Sequence, residues 1–465
     1  MSRIEHDFLG QREIANDLYY GVQTLRGFEN FDITGVPMNH EPSFVKAFGY
    51  VKKAAAMANR DLGVLAPDIA AVILEACNRV ITGAMNDQFI TDLVQGGAGT
   101  STNMNANEVI ANLALELLGR DKGDYQHVSP NDHVNYGQST NDTYPTAFRL
   151  ALILRLEGYV AALEKLRDSF FDKGKEFARV VKMGRTHLQD AVPMSLGSEF
   201  RGWGTTIGEE IDRTREVQKL LREINLGATA IGTSVTAARG YPRLAVKHLS
   251  DLTGIEFVLA SDLVEATSDT GAYVQLSGAL KRTASKLTKI CNDIRLLSSG
   301  PRCGLNEINL PQLQPGSSIM PGKVNPVIPE VVNQVSFLVI GLDTTITLAA
   351  SAGQLQLNVM EPVIAFSLFF SIRTMERAMT SLRDRCIVGI TANEEHTRNM
   401  LLNSLGIVTA LKPLFGYRVC AEIARTSYLE GKSLHQLVVV ERELMSQQQW
   451  DEMLSFERLV NLDFV

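Results

Sequence analysis

Residues 315–326 read PGSSIMPGKVNP. Prolines and two glycines stiffen this stretch around two hydroxyls, Ser317 and Ser318, one ammonium, Lys323, and one amide, Asn325. Such constraint joined to a fixed cation suits anion binding or proton transfer better than a bland loop. A phosphate-binding P-loop is excluded. Gly316 and Gly322 have five residues between them, one too many, and Val324 follows Lys323 where a Ser or Thr is required.

Three more segments carry the same kind of group: GGAGTSTNMN (96–105), GQSTND (137–142) and GRTHLQD (184–190). The first is not a dinucleotide loop, because Thr102 replaces the third glycine and no βαβ pattern surrounds it. Each has a structural reading as well. Ser101 and Thr102 could cap the helical run that follows, and Asn141 or Asp142 could cap the next one. Lys323 could cap a helix C-terminus or pair with Glu330. Taken together, Thr100, Ser101, Ser139, Thr140, Asn141, Thr186, His187, Ser317, Ser318, Lys323 and Asn325 form a set of neutral donors with one cation. That inventory suits a small dicarboxylate. It contains no metal-ligand cluster, and Pro130 between His127 and His133 argues against a helical metal pair.

The elements that must position these groups are helical. Apolar residues recur at helical spacing over 146–181, 205–225, 272–298, 327–350 and 363–389, all far longer than strands. An all-α fold with a long central helix bundle follows. The division is an N-terminal helical domain (1–139), a central bundle (140–392) and a small C-terminal helical domain (393–465). Several long helices are apolar on more than one face, which predicts a homo-oligomer built through the bundle.

Composition sets the outer limits. The 465 residues are 45% hydrophobic and 21% charged, with a net charge of −7. That balance is globular and argues against general affinity for nucleic acid or an anionic membrane. Five cysteines without CxxC spacing fit a reducing compartment, and the charged start MSRIEHDFLG lacks the apolar run of a signal peptide. The apolar stretch 335–350 is broken by Asp343 and reads as a buried helix instead of a membrane span. A cytoplasmic protein is expected.

The four polar segments, in this order, resemble the active-site segments of the fumarase/aspartase superfamily, and GSSIMPGKVNP matches its signature loop almost letter for letter. RIEHDFLG, YYGVQTLR, NLGATAIGT, LVEATSDTGAYV and LNVMEPV are similar to the aspartase branch, where fumarases carry WGAQTQR and an NVFKP-type run. The resemblance implies a three-domain, all-α chain whose central helices form a homotetramer, with each active site drawn from three subunits. It implies elimination of ammonia from L-aspartate to give fumarate. Ser317 would take the Cβ proton, and Thr100, Ser139, Thr140 and Ser318 would hold the enediolate. Lys323 and Asn325 would hold the α-carboxylate, with Asn141 and His187 at the amino group. Ser101 and Thr186 belong to the same binding set. No cofactor is required by this chemistry, and activation by Mg2+ is left open. The alternatives are a fumarate hydratase of class II type and, more distantly, an inactive structural member. The ending FERLVNLDFV departs from family endings, and its role is open.

Overall fold

The computed structural model describes residues Met1–Val460, so the second half of that ending lies outside the described residues. The chain opens with an antiparallel hairpin, β1 (Ser2–Asp7) and β2 (Gly10–Ala15). Helices follow: α1 (Val22–Asn30), α2 (Pro42–Asp61), α3 (Pro67–Ile81), α4 (Thr100–Leu117) and the long α5 (Thr140–Glu176). A second hairpin, β3 (Val181–Thr186) and β4 (Gln189–Ser195), leads into α6 (Leu196–Gln218), α7 (Tyr241–Thr253) and the single turn α8 (Glu265–Ser268). Then come α9 (Gly271–Leu297), α10 (Val327–Ser351), α11 (Glu361–Arg385), α12 (Glu394–Asn403) and α13 (Val408–Glu430). The expectation of a helical fold with long central helices holds, and the strands are confined to two-stranded pairs.

The chain divides into two compact units. One comprises residues 1–160, 212–282 and 337–374, and the other 161–211, 283–336 and 375–460. The first is centred on aromatic rings from α2, α5, α9 and α11. Phe44 meets Phe48 at 5.3 Å, Tyr144 at 5.4 Å and Phe369 at 5.3 Å, and Phe148 meets Tyr273 at 4.6 Å. Pairs at these distances add about 0.5–1.5 kcal/mol each beyond area burial. In the second unit Phe170, Phe177, Phe200 and Trp203 make a similar cluster. A separate core of Leu401, Leu411, Ile423, Leu437 and Trp450 gathers the terminal segment over Val181 and Met183.

Three sequence expectations differ from the structure. The run from 146 to 181 starts earlier and ends at Glu176. There the Leu196 and Gly197 N–H groups cap the carbonyls of Val180 and Phe177, and β-branched Val180 and Val181 pass into β3. Gly197 is required by this crossing, since a Cβ there would lie 2.3 Å from the Gly174 carbonyl. The run expected over 205–225 is α6, shifted toward the N-terminus, with Glu223–Ile224 pairing with Val258–Leu259 as short parallel strands. The third is α10. It is long and apolar enough to cross a membrane by length and composition, yet only 33% of its most apolar stretch is buried within one chain. Phe337, Leu338 and Leu348 stand 58%, 54% and 66% exposed. A buried helix was expected, and a single copy does not bury it.

Candidate active site

The polar residues singled out in sequence fall into two sets, one in each unit. In the first, GGAG delivers the chain to α4 through three left-handed residues, Gly97, Ala98 and Gly99, with φ of 88°, 56° and 90°. Gly99 allows no substitute: a Cβ there would sit 2.2 Å from the Tyr144 ring, which is buried in the aromatic core. The core of α5 thus fixes where α4 begins. Gly99→Ala is expected to cost several kcal/mol, from overpacking (about 1–3) and the left-handed backbone (about 1–2). The check is thermal unfolding, and a midpoint within a degree of the parent would contradict this packing account.

Thr100 is the exposed first residue of α4, its hydroxyl donating to the Gly97 carbonyl at 2.7 Å. Ser101 packs against α1, since a Cβ on Gly27 would lie 2.7 Å from its Oγ. Neither Ser101 nor Thr102 caps α4, where Gly99 holds the cap position without a side-chain bond. At α5 the cap is Ser139, not Asn141 or Asp142. Ser139 Oγ accepts from the Asn141 N–H at 3.2 Å, and Asp142 Oδ1 accepts from the Ser139 N–H at 3.0 Å. Asp142 Oδ2 also accepts from the Gly227 and Thr229 N–H groups at 3.1 and 2.9 Å, tying α5 to the 225–232 loop. Asn141 donates to the Ala230 carbonyl at 2.8 Å, and Asn225 donates to the Asn141 carbonyl at 3.0 Å. Thr140 is buried, and its Oγ1 accepts from Asn103 at 3.2 Å. The first turns of α4 and α5 are therefore joined, and Thr100, Ser139, Thr140 and Asn141 share one corner of this unit.

Two buried ionisable groups adjoin that corner. Burial pushes Asp142 up to about 7, opposed by the N–H groups of Ser139 and Thr229. Burial pushes Lys52 down to about 7, opposed by the charge of Asp142. Lys52, Asn103 and Asn225 were missed in sequence. A signal existed for Lys52: it continues the buried stripe Val45, Phe48, Lys52, Ala55, Asn59 of α2.

The second set occupies a hairpin tip and a turn. Thr186 pairs with Gln189, so His187 and Leu188 form a two-residue loop with φ of 54° and 60°. Such loops normally use Asn-Gly, and a left-handed Leu costs roughly 1–2 kcal/mol. The two-residue loop leaves His187 exposed at the tip, and on the same hairpin buried Lys182 pairs with Glu199 and Glu307 at 2.6 and 2.7 Å. His187→Asn with Leu188→Gly is expected to raise the melting temperature while lowering turnover. Unchanged turnover in a stabilised protein would remove His187 from any substrate role.

The 315–326 turn is closed at its neck. The Gly316 N–H donates to the Lys323 carbonyl at 2.7 Å, and Asn325 Nδ2 donates to the Gly316 carbonyl at 2.8 Å. A Cβ on Gly316 would lie 2.9 Å from Asn325 N, so that approach requires glycine. Inside the turn, Ser317 Oγ accepts the N–H groups of Ile319 and Met320 at 3.2 and 3.0 Å. Thr186, His187, Ser318 and Lys323 make no side-chain hydrogen bond or ion pair among the described residues. Lys323 thus neither pairs with Glu330 nor caps a helix, and its ammonium is open to a ligand. No hydrogen bond joins the hairpin tip to the 315–326 turn among the described residues. One N–H of Asn325 is used inside the turn, which leaves the other for a ligand.

Hydroxyls, free amide groups and a lone ammonium, with a serine oxygen held by two backbone N–H groups, are the parts of an anion-handling acid–base site. Residues 10–341 match the family model described as lyase, and residues 407–461 match one described as fumarase C C-terminus. The chain belongs to this lyase family. Aspartate ammonia-lyase of Pseudomonas aeruginosa is 58% identical over 444 residues, covering 95% of this chain and 94% of that protein. The crystal structure of fumarate lyase:delta crystallin from Brucella melitensis bound to cobalt has a TM-score of 0.95 at 52% identity, covering 99% of both chains. Recombinant class II fumarase from Schistosoma mansoni has a TM-score of 0.91 at 34% identity, covering 98% of this chain and 99% of that one.

Proposed function

We infer that this chain eliminates ammonia from L-aspartate to give fumarate. One observation carries the chemistry: Ser317 Oγ receives two backbone N–H groups from its own turn. A serine hydroxyl is a weak base unless its alkoxide is stabilised, and two amide donors with the Lys323 ammonium nearby in sequence supply the right sign of charge. Substrate choice rests on the relatives, since the aspartate ammonia-lyase is far closer in sequence than the class II fumarase.

The serine alkoxide takes a proton from Cβ, beside the side-chain carboxylate. The C–H electron pair passes into an enediolate dianion held by Thr100, Ser139, Thr140 and Ser318, with the N–H groups of Ser317 and Ser318, since those of Gly316, Ile319 and Met320 are donated within the turn. Its collapse forms the double bond and breaks the Cα–N bond. The amino group leaves from its ammonium form, so no strong general acid is required. Lys323 and the remaining N–H of Asn325 hold the α-carboxylate. His187 and the side-chain oxygen Oδ1 of Asn141 face the ammonium; the Asn141 amide nitrogen is anchored on Ala230, which leaves Oδ1 as the acceptor. Ser101 and Thr186 complete the walls. This route requires no cofactor, and Mg2+ activation is a separate expectation. Among the described residues no group of three or more His, Cys, Asp or Glu is placed to hold a metal.

The working unit is a homotetramer, with the two polar sets of each site supplied by different subunits. The exposed apolar face of α10 supports this reading, because a second copy would bury it. Three domains, bounded near 139 and 392, remain the preferred description, supported at the C-terminal end by the core around Ile423. All five cysteines are unpaired, which favours the cytoplasm. The deciding experiment offers purified protein L-aspartate and, separately, L-malate, and follows the ultraviolet absorbance of fumarate. Fumarate from aspartate alone is expected. Fumarate from malate alone would establish the hydratase alternative, and none from either would favour an inactive member.

A further inference from the structure

Thr140 can serve a carboxylate only if its hydroxyl proton points outward, and a hydroxyl left to itself rotates freely. The direction here is set from inside the fold. Lys52 is fully buried, and its nitrogen carries donors in either protonation state. It donates to Asn135 Oδ1 and to Gln138 Oε1, both at 2.9 Å. The Asn135 amide nitrogen donates to the Gln138 carbonyl at 3.3 Å, which leaves the amide oxygen facing Lys52. Asn103 meets that same oxygen at 3.2 Å and must present its NH2 group to it. The other N–H of that group then points at Thr140 Oγ1, also 3.2 Å away. Flipping Asn103 would set two amide oxygens against each other at a partly buried contact.

We propose that Asn103, oriented by Lys52 through Asn135, is a positioning residue that makes the Thr140 hydroxyl an outward-pointing donor to the substrate carboxylate. Thr140 Oγ1 is occupied as an acceptor by Asn103. Its own proton has no acceptor among the described residues, which leaves it for a ligand at the α4–α5 corner. A donor already aimed at the developing charge needs no reorientation as the enediolate forms.

This rests on the substrate role given to Thr140 above, and a double-mutant cycle separates the two. Thr140→Val removes the hydroxyl at nearly constant shape, and Asn103→Leu removes the directing amide. Each should lower kcat/KM for aspartate by about 10²-fold, the usual effect of losing one oxyanion donor. In the Thr140→Val background, Asn103→Leu should add less than about 3-fold, because the group it directs is gone. Lys52→Met provides a second arm; it takes a donor from Asn135 and Gln138 and the opposite charge from Asp142, so it is expected to lower the melting temperature, and its kinetics are measured well below that temperature. It should lower kcat/KM in the parent and add little to Thr140→Val. Full-size losses from Asn103→Leu and Lys52→Met in both backgrounds would overturn the inference while leaving Thr140 in place. Normal turnover by Thr140→Val would remove the substrate role of Thr140, and the inference with it.

Discussion

Ser317→Ala is expected to lower kcat for aspartate deamination by at least ~10²-fold, with kcat/KM falling in proportion, because a positioned proton-transfer group contributes about that much. The fold should be unaffected. The neck of the turn is closed by Gly316, Lys323 and Asn325 without the serine side chain, and the freed N–H groups of Ile319 and Met320 lie on an exposed turn that water can reach. Steady-state kinetics on a variant with the parent's assembly state and melting temperature would test this. Near-normal turnover would transfer the proton abstraction to another group. Ser317→Cys is also informative, because the neck remains intact while the acidity of the group at Oγ changes.

Lys323→Ala should act on KM. The ammonium has no internal partner among the described residues, so its removal leaves no buried charge uncompensated. What is lost is a charge-assisted bond to a carboxylate that persists from substrate to product. Such bonds contribute about 1.5–3 kcal/mol, which corresponds to a KM raised roughly 10- to 100-fold with kcat changed much less. Lys323→Arg should restore only part of the loss, since a planar fork does not replace a compact ammonium. A fall in kcat at constant KM would place Lys323 on the developing dianion instead of the α-carboxylate.

The turn at 315–326 was legible in sequence because constraint and chemistry coincide there: glycines where backbones nearly touch, prolines at the ends, reactive side chains between. The long helices over 271–297, 327–351 and 361–385 were legible for a different reason. Their apolar periodicity runs well past strand length, and their ends agree with the sequence reading to within a few residues. The hairpin at 181–195 was not. Its first strand continues the apolar pattern of α5, and the residues that stop the helix, Leu196 and Gly197, lie on the far side of the hairpin. The exposure of α10 was only half visible. Sequence shows that its faces are apolar, but one chain's structure was needed to show which of them that chain fails to cover. The support beneath Thr140 was hidden for a similar reason. Asn103 is one amide among several in GGAGTSTNMN, and only its distances to Asn135 and Thr140 single it out.

That support bears on how such a site tolerates change. Thr140, Asn103 and Lys52 lie on three different helices, so loosening any of them alters the direction of one proton without removing a group from the pocket. Substitutions near the α4–α5 corner should therefore reduce turnover more than stability, whereas Gly99→Ala, which strikes the aromatic core, should reduce both.

The central claim is that one catalytic centre takes its proton-abstracting turn from one subunit and its hydroxyl corner from another. Ser317→Ala and Thr140→Val proteins, each nearly inactive, can be unfolded together, refolded as a mixture and assayed for fumarate release from aspartate. If the two residues serve a site from different chains, about a quarter of the sites in an equal mixture regain both, and activity should return toward that fraction of the parent. A mixture no more active than its two components, in tetramers shown to have exchanged subunits, would contradict the claim.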